Sequence, residues 1–436
     1  MKMNSTWRHF SVVKSERQGF GSFHSEDIEI LVRKDFASYQ LPEIYESIQT
    51  ASDNVINSVV RTGNFQVGKS SMTTLYSLDP SWTFINHGAF GATCVVGQRE
   101  SDLWRQLCDT QPLRYYDRIM LPMVAHVVRT VADYFSCSPT QIMPLPNVTA
   151  GLNAVANSVS LQPGDQVLCL SISYGSTKKI LKHACTKNEA ELIIIPLPLP
   201  IHSVEELIKT ISSYANSHTK LIVLDSITSN TALTLPVVDI AIACKSRVSK
   251  DCLIVVDGAH SMFSDDINLA PSCAADSTIT SDTMNKTSGC SVSSKNLDND
   301  TGRSTSRPAL ADIIDVYLTN GHKWLSAPKG CAFMWLSPRA TKICPAIISH
   351  GFVAATLSND HKGIVKELPE PNPDKLLSAF SWDGCRDYSA LLSVPAVIRM
   401  WSVVDKVLAD AVDHSRYGEQ SVSDNVSAHY LDLSHS

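Results

Sequence analysis

From Thr140 onward, short apolar runs alternate with segments of helical length. The predicted strands are residues 166–171, 191–196, 220–224, 253–257 and 316–319, followed by one more buried strand at 330–336. The predicted helices are residues 149–161, 176–188, 204–216 and 237–250. This alternation is typical of βαβ crossovers. The sequence therefore predicts an α/β fold with a mostly parallel sheet and helices on both of its faces.

Three other segments differ from this pattern, two at the ends of the chain and one between predicted strands. Residues 27–57 have helical periodicity, so residues 1–80 are predicted to be an N-terminal helical segment. Residues 270–308 contain no Phe, Trp or Tyr and are rich in Ser, Thr, Asn and Asp. They cannot bury a core, which predicts a disordered surface insertion. The polar end of the chain, from about residue 414, is predicted to be loose.

Composition excludes several classes of protein. The net charge is −6, from 37 Lys and Arg against 43 Asp and Glu, so the chain lacks the basic footprint of a nucleic-acid-binding protein. No apolar run reaches the roughly 20 residues that cross a bilayer. The 12 cysteines include no CxxC pair, which argues against a zinc ribbon and favours a reducing compartment. We expect a cytoplasmic protein, with a weak mitochondrial presequence in the first 20 residues as the alternative.

A lysine follows one of the predicted strands. Residues 319–324 read TNGHKW, which places Lys323 in a compact turn after strand 316–319. Open α/β sheets bind ligands at the carboxyl ends of their strands. A lysine there can form a Schiff base with an aldehyde. The alternative is an ordinary surface lysine.

An aspartate ends another apolar strand. Residues 254–260 read IVVDGAH, so Asp257 stands at the same edge of the sheet as the lysine. A carboxylate in that place can keep a pyridine nitrogen protonated. The alternatives are a helix N-cap and a metal site that uses Asp257, His260 and His322.

Two further segments lie at strand ends. Residues 147–153 (NVTAGLN) open a predicted helix whose free N–H groups could hold a phosphate, unless Thr149 merely caps the helix. Residues 171–175 (SISYG) bring Tyr174 to the same edge, where its ring could stack on a flat cofactor. The alternative for Tyr174 is a solvent-exposed ring.

In this order, these motifs resemble the fold-type I pyridoxal-phosphate (PLP) enzymes of the class V aminotransferase and cysteine desulfurase superfamily. Within it, the chain looks most similar to the isopenicillin-N epimerase-like branch. Supporting motifs are residues 84–91 (FINHGAFG), 111–116 (QPLRYY), 322–325 (HKWL) and 380–387 (FSWDGCRD). The resemblance covers roughly residues 80–405. It implies a PLP-dependent transferase fold of type I, with a seven-stranded sheet.

The resemblance also implies roles for individual residues. Lys323 would be the Schiff-base lysine and the catalytic acid and base. Asp257 would pair with the pyridine nitrogen, and His260 would lie near the phenolic oxygen of pyridoxal 5′-phosphate. Tyr174 would stack on the cofactor ring.

The remaining implied contacts concern the phosphate and the substrate. The resemblance assigns the phosphate to Thr149, Ala150, His322 and Asn320. It assigns Asn86 and His87 to the substrate-facing loop. Cys385 stands where the family has threonine, in a segment that reaches the phosphate of a partner subunit, so a homodimer is expected. A thiol is a poorer hydrogen-bond donor than a hydroxyl, which predicts weaker phosphate binding.

The resemblance implies three parts of the chain. These are the N-terminal segment, a PLP-binding large domain at residues 81–405, and the truncated start of a small C-terminal domain at 406–436. That small domain is expected to be largely missing, and with it the arginine that binds the substrate carboxylate. Arg386 and Arg416 are weak substitutes for that arginine.

The predicted function is a PLP-dependent lyase or epimerase that acts at the Cα of an amino acid or of a sulfur-containing conjugate. A desulfurase that uses Cys344 or Cys385 as persulfide carrier is a weaker variant. The alternative from another class is a catalytically impaired homologue that serves as a cofactor- or protein-binding module.

Overall fold

The computed structural model describes residues 26–35, 37–61, 74–197, 199–265, 267–272, 308–353 and 371–417. The predicted insertion lies outside the described residues over 273–307, and the predicted tail does so over 418–436. The described residues form a sheet of seven strands. The strands are β1 (Ile142–Leu145), β2 (Gln166–Leu170), β3 (Glu191–Ile195), β4 (Thr219–Asp225), β5 (Leu253–Asp257), β6 (Val316–Asn320) and β7 (Ala332–Leu336).

The order of the strands across the sheet is β1-β7-β6-β5-β4-β2-β3. The five strands from β2 to β6 pair in parallel, whereas β7 runs antiparallel to both β6 and β1. The prediction of a mostly parallel sheet is confirmed. β1 has no counterpart among the predicted strands. It is four residues long and contains Pro144, which is tolerated there because β1 is an edge strand.

Helices cover the sheet and precede it. The α-helices of four or more residues are α1 (Ile28–Arg33), α2 (Glu43–Ile56), α3 (Val95–Thr110), α4 (Met120–Tyr134), α5 (Val148–Ser158), α6 (Gly175–Lys187), α7 (Val204–Ser213), α8 (Val237–Lys245), α9 (Leu310–Ile313), α10 (Leu376–Ser381), α11 (Ser389–Leu392) and α12 (Val394–Tyr417). None of those within the described residues is long and apolar enough to cross a membrane.

The helical N-terminal segment is interrupted. Residues 27–57, which have helical periodicity, form α1 and α2 with a break between them. Pro42 stands directly before α2 and disfavours a helical conformation at Leu41, so one continuous helix is excluded. Lys34 has extended backbone angles at the end of α1.

The central strands are buried on both faces. β6 and β7 are buried at every position, and β5 at four of its five. Such continuously apolar strands are expected where helices cover both sides of a parallel sheet. The carboxyl ends of β4, β5 and β6 therefore lie side by side at one edge, and they carry the candidate site.

Candidate active site

The turn that follows β6 carries Lys323. β6 ends at Asn320, and a hydrogen bond from Gly321 N to Cys331 O (3.1 Å) closes the turn. Lys323 is half-buried, and its Nζ lies 3.2 Å from Nε2 of His260. Two motifs predicted at neighbouring strand ends, 63 residues apart in the sequence, therefore meet through their side chains.

Burial lowers the pKa of both groups in this contact. For Lys323 burial is the main cause, and the negative charge of Asp257 opposes it. For His260, burial and then the charge of Lys323 lower the pKa to about 4. The imidazole is therefore neutral near pH 7, and in the tautomer with the proton on Nδ1 its Nε2 accepts a hydrogen bond from the amine. A lysine that loses its proton more easily is also a better nucleophile.

Asp257 is a buried carboxylate beside this lysine. It ends β5 and is only 5% exposed. Its Oδ1 accepts a hydrogen bond from Ala259 N–H (3.1 Å), and its Oδ2 accepts one from Thr177 Oγ1 (3.4 Å). Burial raises its pKa, while the Ala259 N–H, the charge of Lys323 and the Thr177 hydroxyl act in the opposite direction. The site thus holds a carboxyl group that is shielded from solvent and lies within reach of the charge of Lys323.

Residues 86–91 pack closely on the lysine turn. Gly91 has a φ of +72°, and a Cβ at this position would lie 1.9 Å from the carbonyl oxygen of His322. A Cβ at Gly88 would lie 3.2 Å from Nδ1 of His260. The absence of side chains at both glycines is what allows this close approach.

Asn86 and His87, the two predicted substrate residues, lie in the same segment. The His87 ring stacks on Trp324 with 6.0 Å between the ring centroids. Burial lowers the pKa of His87, and the charge of Lys329 adds to this effect. Asn86 is exposed, and its Oδ1 accepts a hydrogen bond from Ala89 N–H (3.0 Å). The structure therefore brings His87 against the lysine turn.

Helix α5 begins next to the end of β6. Asn320 Oδ1 accepts a hydrogen bond from Val148 N–H (3.1 Å), and Asn147 Oδ1 accepts one from Ala150 N–H (2.9 Å). Asn147 is therefore the capping residue, rather than Thr149. Thr149 is exposed at this helix end, whereas Asn320 is buried. Two of the predicted phosphate contacts thus already take part in hydrogen bonds within the protein.

His322, the third polar residue predicted to hold the phosphate, is half-buried. Its Nδ1 lies 3.3 Å from the carbonyl oxygen of Cys331. Burial lowers its pKa, and the nearby charges of Lys323 and Lys329 add to this. Its ring is therefore neutral near pH 7.

Tyr174 stands directly before α6, and its side chain is 48% exposed. Ser173 fixes the turn that carries Tyr174, because its hydroxyl donates a hydrogen bond to Asp225 Oδ2. Tyr174 is thus at the predicted edge of the sheet, on a turn fixed by buried groups.

Cys385 is the residue expected to reach the phosphate of a partner subunit. It is exposed, and its thiol lies near the Tyr116 hydroxyl, which also contacts the thiol of Cys108. The Tyr116 hydroxyl donates to Arg386 O as well (3.1 Å). Within the described part of this chain, none of the hydrogen bonds of Lys323 involves Cys385.

Two side chains beside Asp257 have no counterpart in the sequence prediction. Thr177 donates to its carboxylate, and Asp225 is its register partner on β4. The predicted strand 220–224 stops one residue before Asp225. An acidic residue at the end of an apolar run is the signal that identified Asp257, and the same signal could have identified Asp225.

In the described residues, no group of three or more His, Cys, Asp or Glu is arranged to hold a metal ion. His260, one of the residues considered for such a site, instead contacts Lys323.

Comparison with known proteins finds a matching family and several similar proteins. Residues 123–281 match the Aminotransferase class-V family. Among curated proteins, a probable chloroplastic L-cysteine desulfhydrase of Arabidopsis thaliana is 23% identical over 337 residues. The alignment covers 73% of this chain and 58% of that protein, so the chain spans less than two thirds of its length. The isopenicillin N epimerase of Amycolatopsis lactamdurans is 23% identical over 327 residues, which cover 74% of this chain and 70% of the epimerase.

Solved structures share the fold. A complex of the cystine C–S lyase C-DES with cysteine persulfide has a TM-score of 0.54 at 16% identity, and covers 72% of this chain and 70% of the lyase. A C-DES variant with glycine covalently linked to its PLP cofactor has a TM-score of 0.55 at 15% identity, with coverages of 75% and 74%. The fold is thus shared with PLP-bound structures, and over residues 123–281 the chain is similar to the class-V aminotransferase family.

Proposed function

We propose that this chain is a PLP-dependent enzyme that acts at the Cα of an amino acid, with Lys323 as the Schiff-base lysine. The observation that carries the proposal is the contact of Lys323 Nζ with His260 Nε2 at 3.2 Å, next to the buried carboxylate of Asp257. A lysine, a neutral imidazole and a buried anion at adjoining strand ends form a set that suits a pyridine aldehyde.

Asp257 supports the fit of this cofactor. Lys323 lowers the pKa of its carboxyl as a nearby charge, while burial raises that pKa. A buried carboxylate of this kind would be stabilised by a cationic ring nitrogen. Burial also lowers the pKa of Lys323, which favours the neutral amine that reacts with an aldehyde.

For the phosphate, we propose Thr149 and His322 as the main side-chain contacts. The exposed Thr149 lies in the first turn of α5, where the helix dipole favours an anion. Ala150 and Asn320 would act chiefly by shaping this helix end, because Asn147 and Val148 already bond to them.

When bound, PLP supplies an electron sink for the charge left at the substrate Cα. Lys323 would then take and return the Cα proton, since its amine is the basic group of the site. His260 would hold that amine in position by accepting its hydrogen bond. His87 and Asn86 would face the substrate, and Tyr174 would cover the ring.

For the reaction, we propose elimination from a sulfur-containing amino acid, with epimerisation at Cα as the second candidate. Relatives named L-cysteine desulfhydrase support the first, and relatives named isopenicillin N epimerase support the second. Both reactions begin with loss of the Cα proton, so exchange of that proton with deuterated solvent would detect either one.

We also propose a homodimer. Four large apolar side chains on one short segment are exposed: Trp82 (78%), Phe84 (36%), Ile85 (61%) and Phe90 (78%). A second copy of the chain would cover this surface. The cytoplasm remains the proposed compartment.

The first experiment labels the lysine. The protein is mixed with PLP, reduced with borohydride, and digested for mass spectrometry. We expect a phosphopyridoxyl group on Lys323 and a visible absorption band that is lost in Lys323→Ala. Lys179→Ala, which removes an exposed lysine of α6, should keep both signals. No label on Lys323 in the wild-type protein would overturn the proposal and favour the binding-module alternative.

A further inference from the structure

A second carboxyl group lies beside Asp257. β4 and β5 are parallel neighbours, and Asp225 and Asp257 are register partners at their last positions. Side chains at paired positions of parallel strands emerge on the same face. Asp225 is 3% exposed and Asp257 5% exposed, so both carboxyl groups are buried.

Asp225 connects this strand end to the turn that carries Tyr174. The hydroxyl of Ser173 donates to Asp225 Oδ2, and the backbone N–H of Tyr174 also donates to this carboxyl group. Ser173 Oγ in turn accepts a hydrogen bond from Leu170 N–H (3.3 Å) at the end of β2. Asp225 thus lies between the turn and Asp257.

The charges around Asp225 oppose its ionisation. Burial, and then the negative charge of Asp257, raise its pKa to about 7, while Ser173 and Tyr174 lower it. Cys169 of β2 also faces Asp225, and burial raises the pKa of that thiol, so it adds no charge near pH 7. Lys323 acts on Asp257 as a nearby cation and lowers its pKa.

We propose that Asp225 is a positioning residue of the site: it carries the proton of a buried carboxyl pair, leaves the single negative charge on Asp257, and anchors the Ser173–Tyr174 turn beside it. The proposal deepens the proposed function and rests on it, because there Asp257 is the carboxylate that faces the ring nitrogen. Two negative charges at paired, buried positions of neighbouring strands disfavour double ionisation, so one member of the pair holds a proton.

The pair makes a prediction for the cofactor-free protein. Between about pH 5 and pH 9, an infrared difference spectrum should show the carbonyl band of a protonated carboxylic acid disappearing, with a midpoint near 7. Asp225→Asn should remove this signal. Asp109→Asn, which changes an exposed aspartate on α3, should leave it unchanged.

Two further variants should move the midpoint in opposite directions. Asp257→Asn removes the neighbouring negative charge and should lower the midpoint, by about 1 pH unit or more. Ser173→Ala removes a hydrogen bond that favours the ionised form and should raise it. A structural role alone would not produce these opposite shifts. A signal that persists in Asp225→Asn, or a midpoint that neither variant moves, would overturn the proposal, and circular dichroism would verify that each variant is folded.

Cofactor binding separates this proposal from the proposed function. The affinity for PLP should vary with pH through the midpoint in the wild type and lose that variation in Asp225→Asn. If no variant binds PLP but the infrared shifts occur, the proposed function fails while the carboxyl pair stands. If PLP binds and labels Lys323 but the infrared signal is unchanged in Asp225→Asn, only the positioning role fails.

Discussion

Gly91 joins two segments of the site that are far apart in the sequence. Its φ of +72° lies in the left-handed region, and its Cα is next to the His322 backbone. Gly164 also has a positive φ, +88°, but a Cβ there would have nothing within 4 Å. Comparing the two glycines therefore separates the cost of a left-handed backbone conformation from the cost of the contact with the His322 backbone.

Replacing each glycine by alanine tests the contact. We expect Gly164→Ala to lower the free energy of unfolding by about 1 kcal/mol, the usual cost of a left-handed L-residue. Gly91→Ala should lower it further, because the His322 carbonyl must move away. Borohydride labelling of Lys323 should fall in Gly91→Ala on the order of tenfold, because the amine is displaced. Equal stability and equal labelling of the two variants would contradict this role for Gly91.

Sequence motifs predict that Lys323, His260 and Asp257 belong to one site, because each lies at or just after the end of an apolar strand. They do not identify Thr177 or Asp225 as partners of Asp257. Those contacts depend on which strands are neighbours and in what register, and one sequence does not encode this directly. Asn320 shows the same limit, since its bond to the start of α5 depends on the packing of β6.

At the scale of elements, α2 is held to the rest of the fold by buried polar groups. Ser52 Oγ donates to Glu100 Oε2 (2.5 Å), and Trp104 Nε1 donates to Glu100 Oε1 (3.3 Å). Arg399 of α12 donates to the Tyr45 hydroxyl (3.0 Å) and lies 3.9 Å from the Glu100 carboxylate. Burial raises the pKa of Glu100 to about 7, against these hydrogen bonds and the charge of Arg399.

Glu100 should give the fold a stability that decreases with pH. Between its ordinary pKa and about 7, the folded state keeps a proton that the unfolded chain has released. The free energy of unfolding therefore falls as the pH rises through this window, by up to about 3 kcal/mol. Glu100→Gln cannot titrate and can still bond Ser52 and Trp104. Denaturant titrations at about pH 5 and pH 7.5 should show a smaller fall for Glu100→Gln.

The control for this measurement is Glu43→Gln, at the exposed first residue of α2. It should keep the wild-type difference between the two pH values. An equal difference in Glu100→Gln and wild type would mean that Glu100 has no raised pKa in the folded protein.

The elements themselves are largely predictable. The predicted strand 253–257 coincides with β5, and the predicted helix 176–188 is shifted by one residue from α6. Continuous apolar runs and helical periodicity are strong local signals. β1 lacks such a signal, because its strand character arises from pairing with β7.

At the scale of the whole molecule, the exposed apolar segment predicts self-association. Phe90→Asp places a charge on a side chain that is 78% exposed, so the monomer should tolerate it. We expect it to weaken the dimer at least about tenfold, because a buried charge without a partner is costly. Light scattering over a concentration series would measure this.

Ile242→Asp is the matched control, since Ile242 is an exposed apolar residue (38%) on α8. It should leave the association unchanged. A wild-type protein that stays monomeric at every concentration, or an equal loss in both variants, would contradict the proposed interface.

Residues 86–93 contact the lysine turn, which joins β6 to β7, near both ends of that turn. Gly91 lies against His322, and Lys329 Nζ donates to the Gly91 carbonyl oxygen (2.8 Å). Consider two ligands, one bound to each segment, that both bind more tightly when the segments are in contact. By thermodynamic reciprocity, each of these ligands then strengthens the binding of the other. A ligand at His87 and a ligand at Lys323 would then be linked by one coupling free energy. Each ligand would raise the affinity of the protein for the other ligand by the same factor.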